Sequence, residues 1–400
     1  MKILVLNCGS SSLKFQFVDP ESGEAIHKGA FEEIGFAHSF YSIFMNGGPE
    51  DQAKFPMKTH LDAVKKLFEL LGEDAKQVSA IGHRVVHGGE KYRESTVATE
   101  AILTDLEKIS EFAPLHNPAN ISGVRACMKI LPDIKNVLVF DTAFHNTLPQ
   151  SSFLYAIPVE DYENFGIRRY GFHGTSYSYV AKKAAQMYGK TLEDLKIVIA
   201  HVGNGASMCA IDGGKSIDTS MGMTPLEGLV MGTRSGDIDA GAVAYLGKKR
   251  GLNMDETIDY LNKKCGLGSM AGTGGSDVRM AMAAMRDGSA QARVALDVYI
   301  HRLVKYFGAY VAVLGGVDAI VWTGGVGTNN NFIRSRVMEK LKFLGAEIDE
   351  DENKKLHGSE GGKNLTAEIS KPGSRVRTFA ICTNEELEIA LQTRRQLGRY

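Results

Sequence analysis

One pattern occurs twice in this 400-residue chain. At its start the apolar run Ile3-Leu4-Val5-Leu6 passes through a small polar stretch, Asn7 to Ser12, into LKFQFVD, where apolar and polar side chains alternate. Near the middle, KIVIAHVGNGASMCAIDGG repeats the order: apolar run, Gly/Asn/Ser turn over His201 to Ser207, second run. A short apolar run, a cluster of turn residues and a following run read as a β-hairpin. Two copies of one hairpin predict duplicated halves. Between them, SAIGHRVVHGG and NVLVFDTAFH read as strands while LDAVKKLFELLG has helical periodicity, so the class is α/β. A third glycine loop, GGVGTNN, follows the apolar run ending at Trp322.

The domain boundary is expected after NTLPQSS, giving a first domain over 1–150 and a second over 151–385. The closing amphipathic helix, 386–400, is expected to complete the first domain, and Thr383 with Glu386 matches a capping box. The weakly patterned AHSFYSIFMNGGPEDQAKF reads as a peripheral hairpin or loop, and HGSEGGKNLTAEISKPGSR as a surface turn.

A formal net charge of -1 gives no electrostatic reason for a nucleic-acid or anionic-membrane partner. Small ligands are expected instead. The five cysteines, Cys8, Cys127, Cys209, Cys265 and Cys382, are scattered and form no C-x-x-C, a usage that fits a reducing, cytoplasmic compartment. No apolar run approaches the length of a membrane span.

Several clusters carry chemistry. In NCGSSSLK, backbone N–H groups and hydroxyls with Lys14 just beyond outline a phosphate cradle, although Gly, Ser and Asn also make ordinary hairpin turns. The spacing is not that of a P-loop. Arg84, at the end of a strand before Gly88-Gly89, is either a carboxylate or phosphate clamp or a structural ion-pair partner. Asp141 ends the run NVLVF, where α/β sheets place ligands; it either holds Mg²⁺ or a nucleophile, or caps the next helix. His173 in YGFHGTS and Arg234 in MGTRSGDID are held by small residues, as solvated loop cations or as partners of a transferring phosphoryl group. In GTGGSDVRMAMAAMRDG a glycine loop enters a helix at Ser276-Asp277, and Met280, Met282 and Met285 are expected to fill core.

Taken in order, NCGSSSLKFQF, GHRVVHGGE, APLHNPAN, VFDTAFH, YGFHGTS, HVGNGAS, MGTRSGDID, GGVGTNN and TNEE resemble the acetate kinase family of the actin and hexokinase ATPase superfamily. The resemblance covers nearly the whole chain. It implies duplicated actin-like ATPase (ribonuclease H-like) domains with an interdomain active-site cleft, a homodimer, and reversible Mg²⁺-dependent transfer from ATP to acetate, with Mn²⁺ as the alternative metal. By the same resemblance the metal contacts fall on Asn7 and Glu385, Glu386 being left to the cap. ATP contacts fall on Ser10, Ser12 and Lys14, on His201, Val202, Gly203, Asn204 and Gly205, on Asp277, Val278 and Arg279, and on Gly325, Val326, Gly327, Thr328 and Asn329. The catalytic set is Asp141, His173 and Arg234. Acetate is met by Arg84 and His116, with Val86, Leu115, Phe172 and Pro225 lining an apolar pocket.

Three positions depart from the family pattern: Thr328 stands for a usual Glu, Tyr177 for His, and Ala240 for Pro. Because a carboxylic acid is ionised at neutral pH, with pKa roughly 4 to 5, direct in-line transfer needs no general base, and Asp141 is expected to order the metal or its waters. The rival readings are a propionate or butyrate kinase of the same superfamily and a non-catalytic ATP-dependent switch; the switch has no use for a carboxylate-binding arginine.

Overall fold

The computed structural model describes residues 1–114, 116–356 and 366–398. Two compact units are present, one formed by Met1–Asn146 with Asn384–Tyr400 and the other by Thr147–Thr383.

The first unit is built on an eight-stranded sheet of order β5-β4-β3-β2-β1-β6-β8-β7. Its strands are β1 Lys2–Cys8, β2 Ser12–Asp19, β3 Glu24–Glu32, β4 Phe40–Met45, β5 Glu50–Lys54, β6 Val78–Val85, β7 Thr96–Val97 and β8 Asn136–Phe140. The poorly patterned segment after residue 36 is the β4/β5 hairpin at one edge of this sheet. The second unit carries β9 Lys196–Val202, β10 Ala206–Asp212, β11 Lys215–Thr219, β12 Ala319–Thr323, β13 Ala367–Glu368 and β14 Arg377–Ala380, in the order β11-β10-β9-β12-β14-β13. The cores correspond strand for strand. In β3-β2-β1-β6-β8 and in β11-β10-β9-β12-β14 the first three strands are antiparallel and the last three parallel. The repeated hairpin is therefore the visible part of a duplicated α/β core.

Both hairpin turns are shorter than the sequence suggests. Asn7 and Cys8 pair with Lys14 and Leu13, and Gly9 N–H reaches Ser12 O at 2.8 Å. In the second unit His201 and Val202 pair with Ser207 and Ala206, leaving only Gly203-Asn204-Gly205 to reverse the chain. Cross-strand pairing continues as far as the backbone allows, and two or three residues suffice for the reversal. Asn7, His201 and Ser207 are consequently strand residues with fixed side-chain directions.

Strand alternation divides the first core. Leu4 and Leu6 pack with Phe15, Phe17, Val64 and Leu67 on one face, while Ile3 and Val5 pack on the other with Val137, Val139, Ile389 and Ala390. Ile389 and Ala390 belong to the helix Glu385–Leu397, which covers that second face. Gly82 in β6 permits the approach: a Cβ there would lie 2.5 Å from Thr393 Oγ1 and 2.8 Å from Ile389 Cγ2. The predicted Thr383–Glu386 capping box is not formed. Asn384 is the N-cap and accepts from Leu387 N–H at 3.0 Å, while Thr383 Oγ1 accepts from Ser176.

In the second unit the helix Ala290–Leu314 lies on the sheet, with Phe307 against Trp322 at 5.2 Å between ring centroids. The expected methionine core is not found: Met280 is 45% exposed and Met282 and Met285 are half-buried, because the apolar stripe of that helix is carried by Val278 and Ala281. The GGVGTNN segment is also not a loop. Gly324, at φ +76, makes the turn out of β12, and Gly324–Asn329 closes as a short helix with Thr328 Oγ1 donating to Gly324 O at 2.9 Å. The surface-turn expectation falls partly on residues 357–365, which lie outside the described residues.

Candidate active site

In the first unit the parallel strands β1, β6 and β8 end side by side, and their carboxyl ends bring Asn7, Arg84 and Asp141 together. Arg84 Nε and Nη2 donate to Asp141 Oδ2 at 3.0 and 2.5 Å, and Nη1 reaches Asn7 Oδ1 at 3.4 Å. Asp141 is fully buried behind this pair. A small cavity beside it has Asn7, Lys14, Arg84, Glu385 and Glu386 as its polar wall, with room for water-sized spheres over about 20 Å³. Glu386, assigned to a cap by its sequence position, thus lines the cavity together with Glu385, because Asn384 does the capping.

Burial pushes the Glu385 carboxyl up to about 7, with the charges of Asp141 and Glu386 adding to the rise and Arg84 opposing it. Burial alone would lower the Arg84 pKa, but Asp141, Glu385 and Glu386 outweigh it and hold the guanidinium above its ordinary value. With Asp141 beside the wall, three carboxylates face two cations, Arg84 and Lys14. Its donors are all oxygens, the set that a hard divalent cation selects. Among the described residues no three His, Cys, Asp or Glu side chains form a closed metal cage. An ion bound through one or two carboxylates and completed by substrate phosphates and water needs none, so these residues fit Mg²⁺.

The hairpin turn is anchored from beneath: Asn120 Nδ2 donates to Cys8 O at 2.6 Å, and His60 Nε2 donates to Gly9 O at 2.8 Å, since a carbonyl only accepts. Of its predicted phosphate contacts, Lys14 lines the cavity, Ser10 stands exposed at the turn, and Ser12 is half-buried in β2. Val86 and His87 follow β6 and are held by the helix Asn117–Ile130, whose Asn120 and Asn117 accept from their N–H groups at 3.1 Å each. His116 is the N-cap residue of that helix. Leu115 lies outside the described residues.

In the second unit the turn Gly203–Gly205 is the centre of the arrangement. A Cβ on Gly205 would lie 3.6 Å from Arg234 Nη1 and 3.8 Å from His173 Nε2, so both groups face one point. His173, at φ 60, holds a left-handed backbone rare for a non-glycine residue and starts the helix Gly174–Tyr188. Its ring stacks on His201 at 4.2 Å, and its Nδ1 lies 2.8 Å from Ser207 Oγ. Arg234 is half-buried. Among the described residues its side chain hydrogen-bonds only to Pro225 O at 3.3 Å and Met231 Sδ at 3.8 Å, and no carboxylate pairs with it. Burial lowers its pKa.

The loop that carries Arg234 is pinned at both ends. Glu227 binds Arg169 and Tyr155 at 2.6 Å each, and Asp237 accepts from Gly228 N–H at 2.8 Å and Tyr306 Oη at 2.9 Å. Gly232 is wedged between Asn204 and Ser276, where a Cβ would meet their atoms at 2.0 and 2.7 Å. Gly324 lies against Val202 O, 2.7 Å from its own absent Cβ. Ser276 and Gly324, which lead into the predicted segments 277–279 and 325–329, therefore lie against the predicted segment 201–205. Not every side chain in them points out: Val202, Val278, Gly327 and Thr328 are buried, whereas Gly325 and Asn329 are exposed and Val326 is half-buried. Asp277 and Arg279 pair with each other at 2.5 Å. Phe172 is buried, and Pro225 is half-buried beside Arg234. Ala240 is the exposed first residue of a helix capped by Asp239, where proline would fit equally well.

Sequence reasoning missed Arg334, which is fully buried and holds the end of the Gly324–Asn329 helix. It donates to Gly327 O, Thr328 O, Asn353 Oδ1, Asn353 O and Leu356 O at 2.7–3.1 Å. An arginine in a polar helix carries no sequence signal of that burial. Ser207 was missed as well, its side-chain direction depending on where the hairpin turn ends.

The acetokinase family model matches residues 2–391. The acetate kinase of Halothermothrix orenii is 47% identical over 402 residues, 99% of each chain. The crystal structure of Porphyromonas gingivalis acetate kinase matches with a TM-score of 0.93 at 40% identity, covering 99% of both chains. A propionate kinase from Francisella tularensis matches with a TM-score of 0.90 at 38% identity, covering 98% of this chain and 99% of that one. Identity at these levels across the full length, on the duplicated sheets and glycine turns described above, means that the chain belongs to the acetokinase family.

Proposed function

We propose that this chain catalyses reversible transfer of the terminal phosphoryl group of ATP to acetate, giving acetyl phosphate and ADP. The observation that carries the reading is Arg234: a half-buried cation without a carboxylate partner among the described residues, aimed with His173 Nε2 at one point beside the Gly203–Gly205 turn. Such a charge is stabilised by what binds it, and a phosphoryl group whose oxygens gain charge during transfer is the matching ligand.

An acetate oxygen attacks the terminal phosphorus; the new O–P bond forms as the P–O bond to ADP breaks, and ADP leaves with that electron pair. No proton moves. Arg84 receives the carboxylate through Nη1, its least engaged donor, and Asp141 fixes the fork by accepting from Nε and Nη2. His116 and the apolar side chains of Val86, Leu115, Phe172 and Pro225 are assigned to the acetate end. Lys14, with Ser10 and Ser12, is assigned to phosphates, and the segments 201–205, 277–279 and 325–329 to the nucleotide. Asn7 and Glu385 would hold Mg²⁺ or Mn²⁺, which supplies charge neutralisation of the phosphates.

A homodimer is supported by exposed apolar side chains on three helices of the second unit, among them Tyr245, Met254, Ile258, Val294 and Val313; sedimentation at micromolar concentration tests it. The free cysteines support a cytoplasmic location. The function is tested by trapping the acyl phosphate with hydroxylamine after incubation with ATP, Mg²⁺ and acetate, propionate or butyrate. Acetate is expected to give the highest kcat/KM. Failure of all three acids to form product would overturn the reading, and a lead for propionate would move it to the rival kinase.

A further inference from the structure

Behind His173 lies a relay that the transfer reaction does not by itself require. Ser207 Oγ is 2.8 Å from His173 Nδ1 and 2.5 Å from Tyr177 Oη, and both hydroxyl residues are fully buried. Tyr177 stands one helical turn beyond His173 on the same helix, and Ser207 lies on β10 opposite His201. Among the described residues no third side chain competes for Ser207, so its single proton goes to the imidazole or to the phenol. A phenol is a stronger acid than an aliphatic hydroxyl, and its oxygen is a weaker acceptor because a lone pair is drawn into the ring. The favoured order is therefore phenol to serine to imidazole. Burial keeps the Tyr177 phenol protonated.

We infer that Tyr177 and Ser207 are positioning residues that fix His173 as the tautomer with bare Nδ1 and protonated Nε2. This rests on the proposed phosphoryl transfer. Nε2 is the atom that faces the Gly205 point together with Arg234. In this tautomer it presents a neutral N–H donor there, beside a fixed cation, where a second full charge would be repelled by Arg234. The opposite tautomer would turn a lone pair toward the phosphoryl oxygens. His201, stacked on the ring, is tied separately through Nδ1 to Ser176 Oγ at 2.8 Å, so it does not compete for the Ser207 proton.

The test is long-range ¹H–¹⁵N NMR of the full chain labelled at histidine, with His173 assigned by loss of its signals in His173→Gln. The wild type should show an unprotonated Nδ1 and a protonated Nε2. In Tyr177→Phe, which removes only the hydroxyl, the two nitrogens should move toward averaged shifts. In the same variant kcat should fall about tenfold or more while both KM values stay within about twofold, since orientation of a transition-state donor is what is lost. A wild-type His173 protonated at Nδ1 would overturn the inference, as would shifts in Tyr177→Phe identical to wild type, with or without a loss of kcat. The NMR result stands whether or not acyl phosphate forms, so failure of the proposed reaction is read separately.

Discussion

Replacing Arg234 by alanine separates a transition-state charge from a structural one. A buried ion-paired arginine would cost stability when removed, but among the described residues the Arg234 side chain hydrogen-bonds only to Pro225 O and Met231 Sδ, and burial already disfavours its charge. Its removal should therefore leave Tm unchanged or slightly raised. The expected catalytic effect is large. Two unit charges about 4 Å apart interact by about 4 kcal/mol at an effective dielectric constant of about 20, and each factor of ten in rate corresponds to about 1.4 kcal/mol. The expected loss of kcat is thus about 10³-fold, in the range attributed to arginines that meet a transferring phosphoryl group. KM for ATP should change far less than kcat, because an arginine aimed at the transferring group contributes more to the transition state than to the bound ground state. Steady-state kinetics in the acyl phosphate assay, with thermal unfolding of the same preparation, measure both effects. A kcat within about tenfold of wild type, or a kcat loss accompanied by a fall in Tm of several degrees, would refute the assignment.

Glu385→Gln should raise the Mg²⁺ concentration needed for half-maximal activity, because an amide binds a hard cation less well than a carboxylate; an unchanged metal titration would leave Glu385 as the first residue of its helix and nothing more. His83 is buried neutral beside Asn136 and its pKa is lowered to about 4, chiefly by burial. The unfolded chain therefore binds more protons between pH about 6.5 and 4, and the stability present above that window is lost as pH falls through it, by about 3 kcal/mol in all. Urea unfolding against pH should show that slope, and it should flatten in His83→Gln. Arg334→Lys leaves several buried carbonyls without donors, at about 1–3 kcal/mol for each unsatisfied group, so Tm should drop and KM for ATP should rise; a changed Tm with unchanged KM would confine Arg334 to stability. Val86→Ala should raise the propionate-to-acetate ratio of kcat/KM by roughly tenfold, within the 1–3 kcal/mol that one methylene commands, and an equal loss on both acids would return Val86 to the core.

The duplicated hairpin, the α/β class and the placement of Arg84 and Asp141 at strand ends were legible because each arises from local pattern. Ile3 to Leu6 is apolar on both faces, and Asp141 ends an apolar run, whatever the rest of the chain does. What was not legible depends on register. One residue decides whether Asn384 or Thr383 caps the last helix, and so whether Glu386 is a capping residue or a wall of the cavity. The end of pairing between β9 and β10 decides whether Ser207 sits in a flexible turn or is aimed from a strand at His173. The methionines of the helix Val278–Arg286 were misread for a related reason: its short apolar stripe is complete without them.

The two units share a strand order and a hairpin, yet they dress the same turn with opposite charge. At the β1/β2 hairpin the neighbours are Glu385, Glu386 and Asp141 with Arg84 and Lys14, and burial, with Asp141 and Glu386 adding to it, raises Glu385. At the β9/β10 hairpin the neighbours are Arg234, His173 and His201, and the excess is cationic or neutral, with burial lowering Arg234. An acidic, oxygen-rich wall is stabilised by a divalent cation, and an unpaired arginine by phosphoryl oxygens; neither is satisfied by protein alone. A divalent cation is the complement of the first turn, and a phosphoryl group that of the second. The near-zero net charge of the chain, summed over 46 basic and 47 acidic residues, carries no trace of this local division. Since the proposed transfer uses ATP together with its metal, ATP affinity should rise with Mg²⁺ in the wild type and lose most of that dependence in Glu385→Gln, as read by isothermal titration. Equal dependence in both proteins would mean that the acidic wall is not the metal's partner.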